Sequence, residues 1–237
     1  MNPDVAAVVL ASGQGKRLGR GNKALLTLQG RPLLAHSLEV LHQCPSVGYL
    51  VVVLPEADRQ ALDLAWPDLW SKWSVDRVVE GGAERWLSSK AGCQAVPETW
   101  PLLLVHDAAR ALVQADLVEA VAAAARQFGA ALAAEPMADT LKVEGDSHRV
   151  KRTLPRDSLW RAQTPQVCRR RPLLEAFDRW PVDRGLPTDE AMLLEAVGQD
   201  CRLVVGPSTN FKITRPEDLA LAEAVLQTRK PFPQNLS

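Results

Sequence analysis

Short apolar runs alternate with segments of helical periodicity along much of this chain. Val5–Leu10, Tyr49–Leu54, Leu102–His106 and Ala130–Ala134 are runs of the kind that form strands buried on both faces, and Val75–Val79 is read as a further strand. Between them the pattern turns helical. Pro32 opens a helix over 33–41, with proline near its start, a helical stretch follows Leu54, and Glu84–Val96 and Asp116–Phe128 read as two more helices. This strand–loop–helix rhythm predicts an α/β fold, Rossmann-like, with a mostly parallel sheet flanked by helices. Ligands on such sheets bind beyond the carboxyl ends of the strands.

The rhythm breaks after Pro136. Thr140–Val143 alternates polar and apolar, Glu144–Ser147 is rich in turn formers, and Val150–Leu154 follows. The pattern predicts a two-stranded β arm over 137–158 that projects from the domain. An isolated hairpin is marginal by itself, so the arm calls for a partner surface, most simply a second subunit. Helical and strand patterns resume at Arg171: Cys201–Val205 and Phe211–Thr214 read as strands and about 216–227 as the last helix. The whole is expected to be a single domain over 1–230, with 231–237 a frayed tail. Trp66, Trp70 and Trp73 recur at helical spacing, a packing stripe, and Arg169–Arg171 reads as a solvated basic surface.

Composition narrows the partners. The 237 residues carry 28 basic and 28 acidic side chains, and this balance argues against a nucleic-acid binder. No apolar run has the length of a membrane span, and the N-terminus lacks a signal-peptide pattern. Cys44, Cys93, Cys168 and Cys201 are scattered and read as reduced thiols, so a cytoplasmic location is expected. The four histidines form no pair at helical spacing, which speaks against a transition-metal site built by the protein.

Three clusters carry chemistry. The strand Val5–Leu10 runs into Ala11-Ser12-Gly13-Gln14-Gly15-Lys16-Arg17-Leu18-Gly19, with Lys23 just beyond. Glycines let the backbone approach a ligand, and the three cations supply charge-assisted bonds to phosphate oxygens. It is not a Walker A loop, because Arg17 follows Gly15-Lys16 and Leu10 stands where the first glycine belongs. Nor does it complete the dinucleotide fingerprint, since Leu18 takes the third glycine's place. The second cluster is His106-Asp107-Ala108-Ala109-Arg110, where a buried strand delivers an acid and a base to its carboxyl end. Asp107 there can hold a divalent ion or a hydroxyl and Arg110 a phosphate, or the two can simply pair with each other. The third is Asn210–Glu217, with Lys212 inside an apolar stretch, a costly place unless anions face it. Thr214 and Glu217 satisfy a capping box, and Thr188-Asp189-Glu190 has the form of a helix start.

Together these clusters resemble the 2-C-methyl-D-erythritol 4-phosphate cytidylyltransferases of non-mevalonate isoprenoid synthesis. The resemblance runs from about Val5 to Gln227. It also rests on Gly81-Gly82-Ala83-Glu84-Arg85, Asp139-Thr140-Leu141-Lys142, Leu159–Gln166 and Thr188–Ala191. It implies a nucleotidyltransferase-type fold and transfer of CMP from CTP to methylerythritol phosphate. The acceptor's phosphate oxygen would attack the α-phosphorus in line, with Mg²⁺ assisting the triphosphate.

Carried over by position, the resemblance implies roles for individual residues. Arg17 and Lys23 would stabilise charge on the α-phosphate and leaving group, and Lys212 and Arg156 would position the attacking phosphate. Leu10, Ala11, Ser12, Gly13, Gly15 and Lys16 would line the nucleotide, with Gly82 and Ser88 at the base. Asp107, Arg110, Thr140, Thr188 and Thr214 would surround the acceptor, and Asp107 would also approach the nucleotide and Mg²⁺. The arm would embrace a second subunit, so that Thr140 and Arg156 act across a homodimer.

Three features depart from the family's pattern. Leu10 and Ser12 stand in a loop that commonly reads Pro-Ala-Ala-Gly, Ala83 replaces an Asp near the base edge, and Ala111 replaces a Pro. Rival readings are a cytidylyltransferase for ribitol 5-phosphate, a nucleotidyltransferase for sugar acids or molybdopterin, and a silent nucleotide-binding module. Turnover of Arg17→Ala separates enzyme from silent binder. An enzyme of this kind should lose on the order of 3–4 kcal/mol of transition-state stabilisation, read as a fall in kcat.

Overall fold

The computed structural model describes residues 2–13 and 25–229. The predicted tail, 231–237, lies outside them. Seven strands form the main sheet: β1 (Val5–Leu10), β4 (Val47–Val53), β5 (Arg77–Val79), β6 (Leu102–Asp107), β7 (Ala130–Pro136), β10 (Trp160–Arg169) and β11 (Arg202–Val205). A small hairpin of β2 (Thr27–Leu28) and β3 (Arg31–Pro32) precedes the first helix. The sheet order is β11-β7-β10-β6-β1-β4-β5, and only β10 runs antiparallel to its neighbours.

β1 shows why the sheet sits in the middle. All six of its residues are buried, and they divide by parity. Val5, Ala7 and Val9 join a core formed with α1 (Leu33–Gln43), α2 (Glu56–Ala65), α3 (Leu69–Lys72) and α5 (Ala115–Phe128). Ala6, Val8 and Leu10 join one formed with α4 (Arg85–Ala95), α6 (Arg170–Arg179) and α7 (Glu190–Ala196). That is the period of two expected of a strand covered on both sides. A third cluster seats α8 (Pro216–Thr228) against Leu28, Leu33 and Leu112 through Ala222, with Ile213 beside it. Trp73 is buried, and Trp66 and Trp70 are half-buried against the first core, so the tryptophan stripe is packing, although it crosses the break between α2 and α3. Cys44, Cys93 and Cys168 are buried free thiols, and burial pushes Cys44 and the half-buried Cys201 up to about 12, so neither is a ready thiolate.

The hairpin expected in the arm forms. β8 (Leu141–Glu144) pairs antiparallel with β9 (Val150–Leu154), and both strands are largely exposed. Two expectations are corrected. Phe211–Thr214 is not a strand: the Ile213 N–H bonds the Ala109 carbonyl, and no ladder continues from it. The long strand β10 carries no strand pattern in the sequence. Its Gln163-Thr164-Pro165-Gln166 stretch looks like a loop, and the pairing with β7 does shift register between Ala162 and Gln166, where the proline sits.

α4 lies close on the sheet because its inner face is small: Ser88, Ser89, Gly92 and Cys93. A Cβ at Gly92 would come within 2.3 Å of Val8 Cγ1 and 2.6 Å of Val53 Cγ2. Gly92→Ala should therefore destabilise the fold by about 1–3 kcal/mol through overpacking, despite alanine's better helix propensity. Chemical denaturation measures it, and a stabilised variant would contradict the close seat of α4.

Candidate active site

β6 ends on His106 and Asp107, in the centre of the sheet. Asp107 is nearly buried, and both its carboxylate oxygens meet cations. Arg85 Nε donates to Oδ1 at 3.1 Å and Lys212 Nζ to Oδ2 at 2.7 Å. Burial alone would raise its pKa, but Arg85 and Lys212 outweigh that and hold the carboxyl well below the usual carboxylate range. Arg85 also grips Glu190, itself buried, through two parallel bonds of 2.9 and 3.0 Å, and the Ser89 hydroxyl donates to the same carboxylate at 2.8 Å. Burial opposes the charge of Arg85, yet Glu190 and Asp107 raise its pKa further, so it is a permanent cation.

The polar stretch of β10 completes the frame. The Asp107 N–H donates to Thr164 Oγ1 at 3.0 Å, and that hydroxyl lies 3.1 Å from His106 Nδ1. Burial pushes His106 down to about 4, against the pull of Asp107. Its Nε2 has no hydrogen-bond partner among the described residues. Asn210 braces the same corner, its Nδ2 donating to Gln163 Oε1 at 2.8 Å and the Thr164 carbonyl at 3.0 Å. Gln166 ties β10 to α7: it donates to Asp189 Oδ2 at 3.0 Å and accepts the Ala191 N–H at 2.9 Å.

Arg85, Asp107, Arg110, Gln163, Thr164, Thr188 and Lys212 line one cleft of about 220 Å³. Asp107, Arg110, Thr188 and Lys212, expected from sequence around the acceptor, meet here. The alternative of an Asp107–Arg110 pair is corrected. Arg110 donates to the carbonyls of Asn210 at 2.8 Å and Ala162 at 3.2 Å, while Asp107 is taken by more distant cations. Thr188 stands just before α7, whose N-cap is Asp189, with its carboxylate accepting the Met192 N–H. Thr214 does not line the cleft. Its N–H and hydroxyl both donate to Asp218, which also takes the Arg215 N–H. The capping carboxylate is thus Asp218 rather than Glu217, because the helix starts at Pro216 and its cap is Arg215.

On the other side of α4, Ser12 Oγ and Ser88 Oγ are 2.9 Å apart, and the Ser88 hydroxyl reaches the Gly82 carbonyl at 3.3 Å. Gly81 and Gly82 are needed here: added Cβ atoms would come within 2.6 Å of Ser88 Oγ and 2.4 Å of Leu87 Cβ. Leu10 and Ala11 are buried at the end of β1, with Gly13 exposed beyond. Gly15, Lys16, Arg17 and Lys23 lie outside the described residues. Thr140 and Arg156 are exposed on the arm, Arg156 donating to the Ala138 carbonyl, and neither lines the cleft. Arg85, Ser89, Thr164 and Glu190 were given no role from sequence, although Arg85, Thr164 and Glu190 fall in the strings that carried the resemblance. No group of three His, Cys, Asp or Glu side chains that could hold a metal occurs among the described residues. With both Asp107 oxygens engaged by cations, this donor set does not by itself fit a protein-held Mg²⁺.

An α/β sheet whose first strand leads into a glycine- and cation-rich sequence, with a cationic cleft at the neighbouring strand's end, has the form of a nucleotidyltransferase. The family model of 2-C-methyl-D-erythritol 4-phosphate cytidylyltransferase, IspD, matches residues 5–228, and this chain belongs to that family. The enzyme of that name from Gloeobacter violaceus is 40% identical over 228 residues, covering 94% of this chain and 96% of its own. The one from Alkaliphilus oremlandii is 35% identical over 226 residues, covering 95% and 96%. The bifunctional enzyme IspD/IspF from Desulforudis audaxviator is 43% identical over 225 residues, 94% of this chain but 57% of that protein. Among solved structures, the Thermus thermophilus cytidylyltransferase superposes with a TM-score of 0.76 at 34% identity, covering 96% of this chain and all of that one.

Acid should loosen this corner. His106 has a depressed pKa, so its neutral form stabilises the fold fully above its unfolded value near 6.5, and that contribution is lost as pH falls toward about 4. Asp107 is also depressed, so its contribution disappears only below the ordinary value of 3.8. Without divalent cations, stability should fall between pH 6.5 and 4 by on the order of 3 kcal/mol from His106 alone. Denaturation across that range measures it. His106→Asn should flatten the slope, and an unchanged slope would contradict a buried neutral imidazole.

Proposed function

We propose a division of labour for cytidylyl transfer from CTP to 2-C-methyl-D-erythritol 4-phosphate, the reaction of this family. The carrying observation is the cleft at the end of β6, where Lys212 and Arg85 share one buried carboxylate beside Arg110 and Thr188. Attack of one phosphate on another requires charge neutralisation and alignment rather than a covalent nucleophile. Lys212 exchanges Asp107 for the acceptor's phosphate and holds the attacking oxygen toward the α-phosphorus. Asp107 stays ionised and fixes the two cations, and Arg110 and Thr188 border the acceptor.

The nucleotide lies along Leu10–Gly13 with its base against Gly82 and Ser88. The hydrogen-bond chain from Ser12 through the Ser88 hydroxyl to the Gly82 carbonyl supports that reading. Arg17 and Lys23 meet the α-phosphate and the departing pyrophosphate, with Gly15 and Lys16 around the triphosphate. A divalent cation, Mg²⁺ by preference, would be held chiefly by the triphosphate itself, where it would neutralise phosphate charge and ease pyrophosphate departure.

The arm pairs two subunits, and Arg156 and Thr140 of the partner subunit complete each cleft. The exposed position of both side chains, away from their own cleft, supports this. A cytoplasmic location fits the free thiols of Cys44, Cys93, Cys168 and Cys201. No helix among the described residues is long and apolar enough to cross a membrane.

Pyrophosphate release with CTP and a divalent cation should occur with methylerythritol phosphate and not with ribitol 5-phosphate. Release with ribitol 5-phosphate alone would move the acceptor while keeping the mechanism. Lys212→Ala should lower kcat/KM by about 100- to 1,000-fold. Refolding Lys212→Ala together with Arg156→Ala tests the shared site. A mixed dimer holds one cleft with both groups intact, so activity should return, and failure to recover would place Arg156 in its own subunit's chemistry.

A further inference from the structure

α4 faces two ways. Ser88 points toward the nucleotide side, bonded to Ser12 and Gly82. Arg85 and Ser89 point toward the acceptor side, where they hold Glu190 and Asp107. Gly92 seats the same helix on Val8 and Val53, so its position is fixed by the strand that leads into the phosphate loop. Glu190 opens α7 directly after Thr188 and Asp189. Arg85 therefore joins three elements: α4 beneath the base, the end of β6, and the start of α7.

The charges explain why the tie matters. Arg85, Lys212, Asp107 and Glu190 form a neutral set of two cations and two anions, and Glu190 is 1% exposed. Asp107 divides its attraction between Arg85 and Lys212. Take Arg85 away, and Lys212 becomes the sole close ion-pair partner of Asp107 among the described residues, held more firmly and less free to turn to an incoming phosphate. Glu190 would at the same time lose its bidentate grip, releasing the turn that carries Thr188.

We infer that Arg85 is a positioning residue that keeps Lys212 available and holds the acceptor end of the cleft in register with the nucleotide end. The inference rests on the reading of Lys212 and Asp107 as the acceptor site. Arg85 touches neither substrate in this role. It acts through Asp107 and Glu190.

Removing Arg85 alone leaves Glu190 buried and unpaired, so the decisive variant is Arg85→Gln with Glu190→Gln, which removes a cation and an anion together. Its melting temperature and dimer content should match the parent. KM for CTP should stay within about twofold while KM for methylerythritol phosphate rises about tenfold or more, a size typical of coupling between sites. Arg85→Lys, which keeps a cation for Asp107 but loses the fork to Glu190, should restore part of the acceptor affinity.

An unchanged acceptor KM in the well-folded double variant would overturn the inference. So would a parallel rise in both KM values, which would make Arg85 a general structural tie. Lys212→Ala, measured alongside, separates the two layers. If it raises acceptor KM and the double variant does not, only the role of Arg85 fails. If Lys212→Ala leaves acceptor KM unchanged, the acceptor-site reading fails and takes the inference with it.

Discussion

A carboxylate buried at the end of a central strand must be neutralised, and the way Asp107 is neutralised organises this molecule. Left alone in that position it would take up a proton or pull the strand apart. Arg85 from one face of the sheet and Lys212 from the segment before the last helix both come to it. Each brings its own element along. Arg85 fixes α4 against the sheet and, through Glu190, the start of α7. Lys212 fixes the segment between β11 and α8, which the Ile213–Ala109 and Arg110–Asn210 bonds secure from the other side. Breaking such a buried pair on one side typically costs about 3–5 kcal/mol. Lys212, the cation proposed for the acceptor's phosphate, is thereby held in place by an internal anion.

This arrangement suits an enzyme whose two substrates repel each other. Preorganised charge acts without reorganisation during the reaction, and a low-polarity wall strengthens it. The wall is supplied by strands buried on both faces, Val5–Leu10 and Leu102–Asp107, lying side by side in register from Val5 opposite Leu102 to Leu10 opposite Asp107. The two strands bring Leu10 and Asp107 side by side at one edge of the sheet. β10 adds the polar frame of Thr164, Gln163 and Gln166 that keeps His106 and Asp107 aligned.

The buried strands and amphipathic helices were legible because burial on one or two faces imposes a period that residues must obey. β1, β4, β6 and β7, the helices α1 and α5, and the arm hairpin all fall where that pattern puts them. β10 was not, because its middle is polar for the site's sake: Thr164 and Gln166 spend their side chains on Asp107, Asp189 and Ala191 instead of on a core. Phe211–Thr214 misled in the opposite direction, since Phe211 and Ile213 are apolar to pack on α8's cluster rather than to extend a sheet. The cap moved one residue because proline fixed where the helix begins. The partners of Asp107 lie 22 and 105 residues away, beyond any local spacing, so proximity along the chain pointed to Arg110 instead. Resemblance to the family supplied Lys212 and Arg110 for the acceptor. It did not show that Asp107 serves first as the anchor of other side chains.

The most direct test of the central claim is a crystal structure of the dimer with a non-hydrolysable CTP analogue and methylerythritol phosphate. The account predicts the acceptor's phosphate on Lys212, with Asp107 still held by Arg85 and with Arg156 of the partner subunit at the cleft. An acceptor phosphate bound elsewhere, with Lys212 still closed on Asp107, would contradict it.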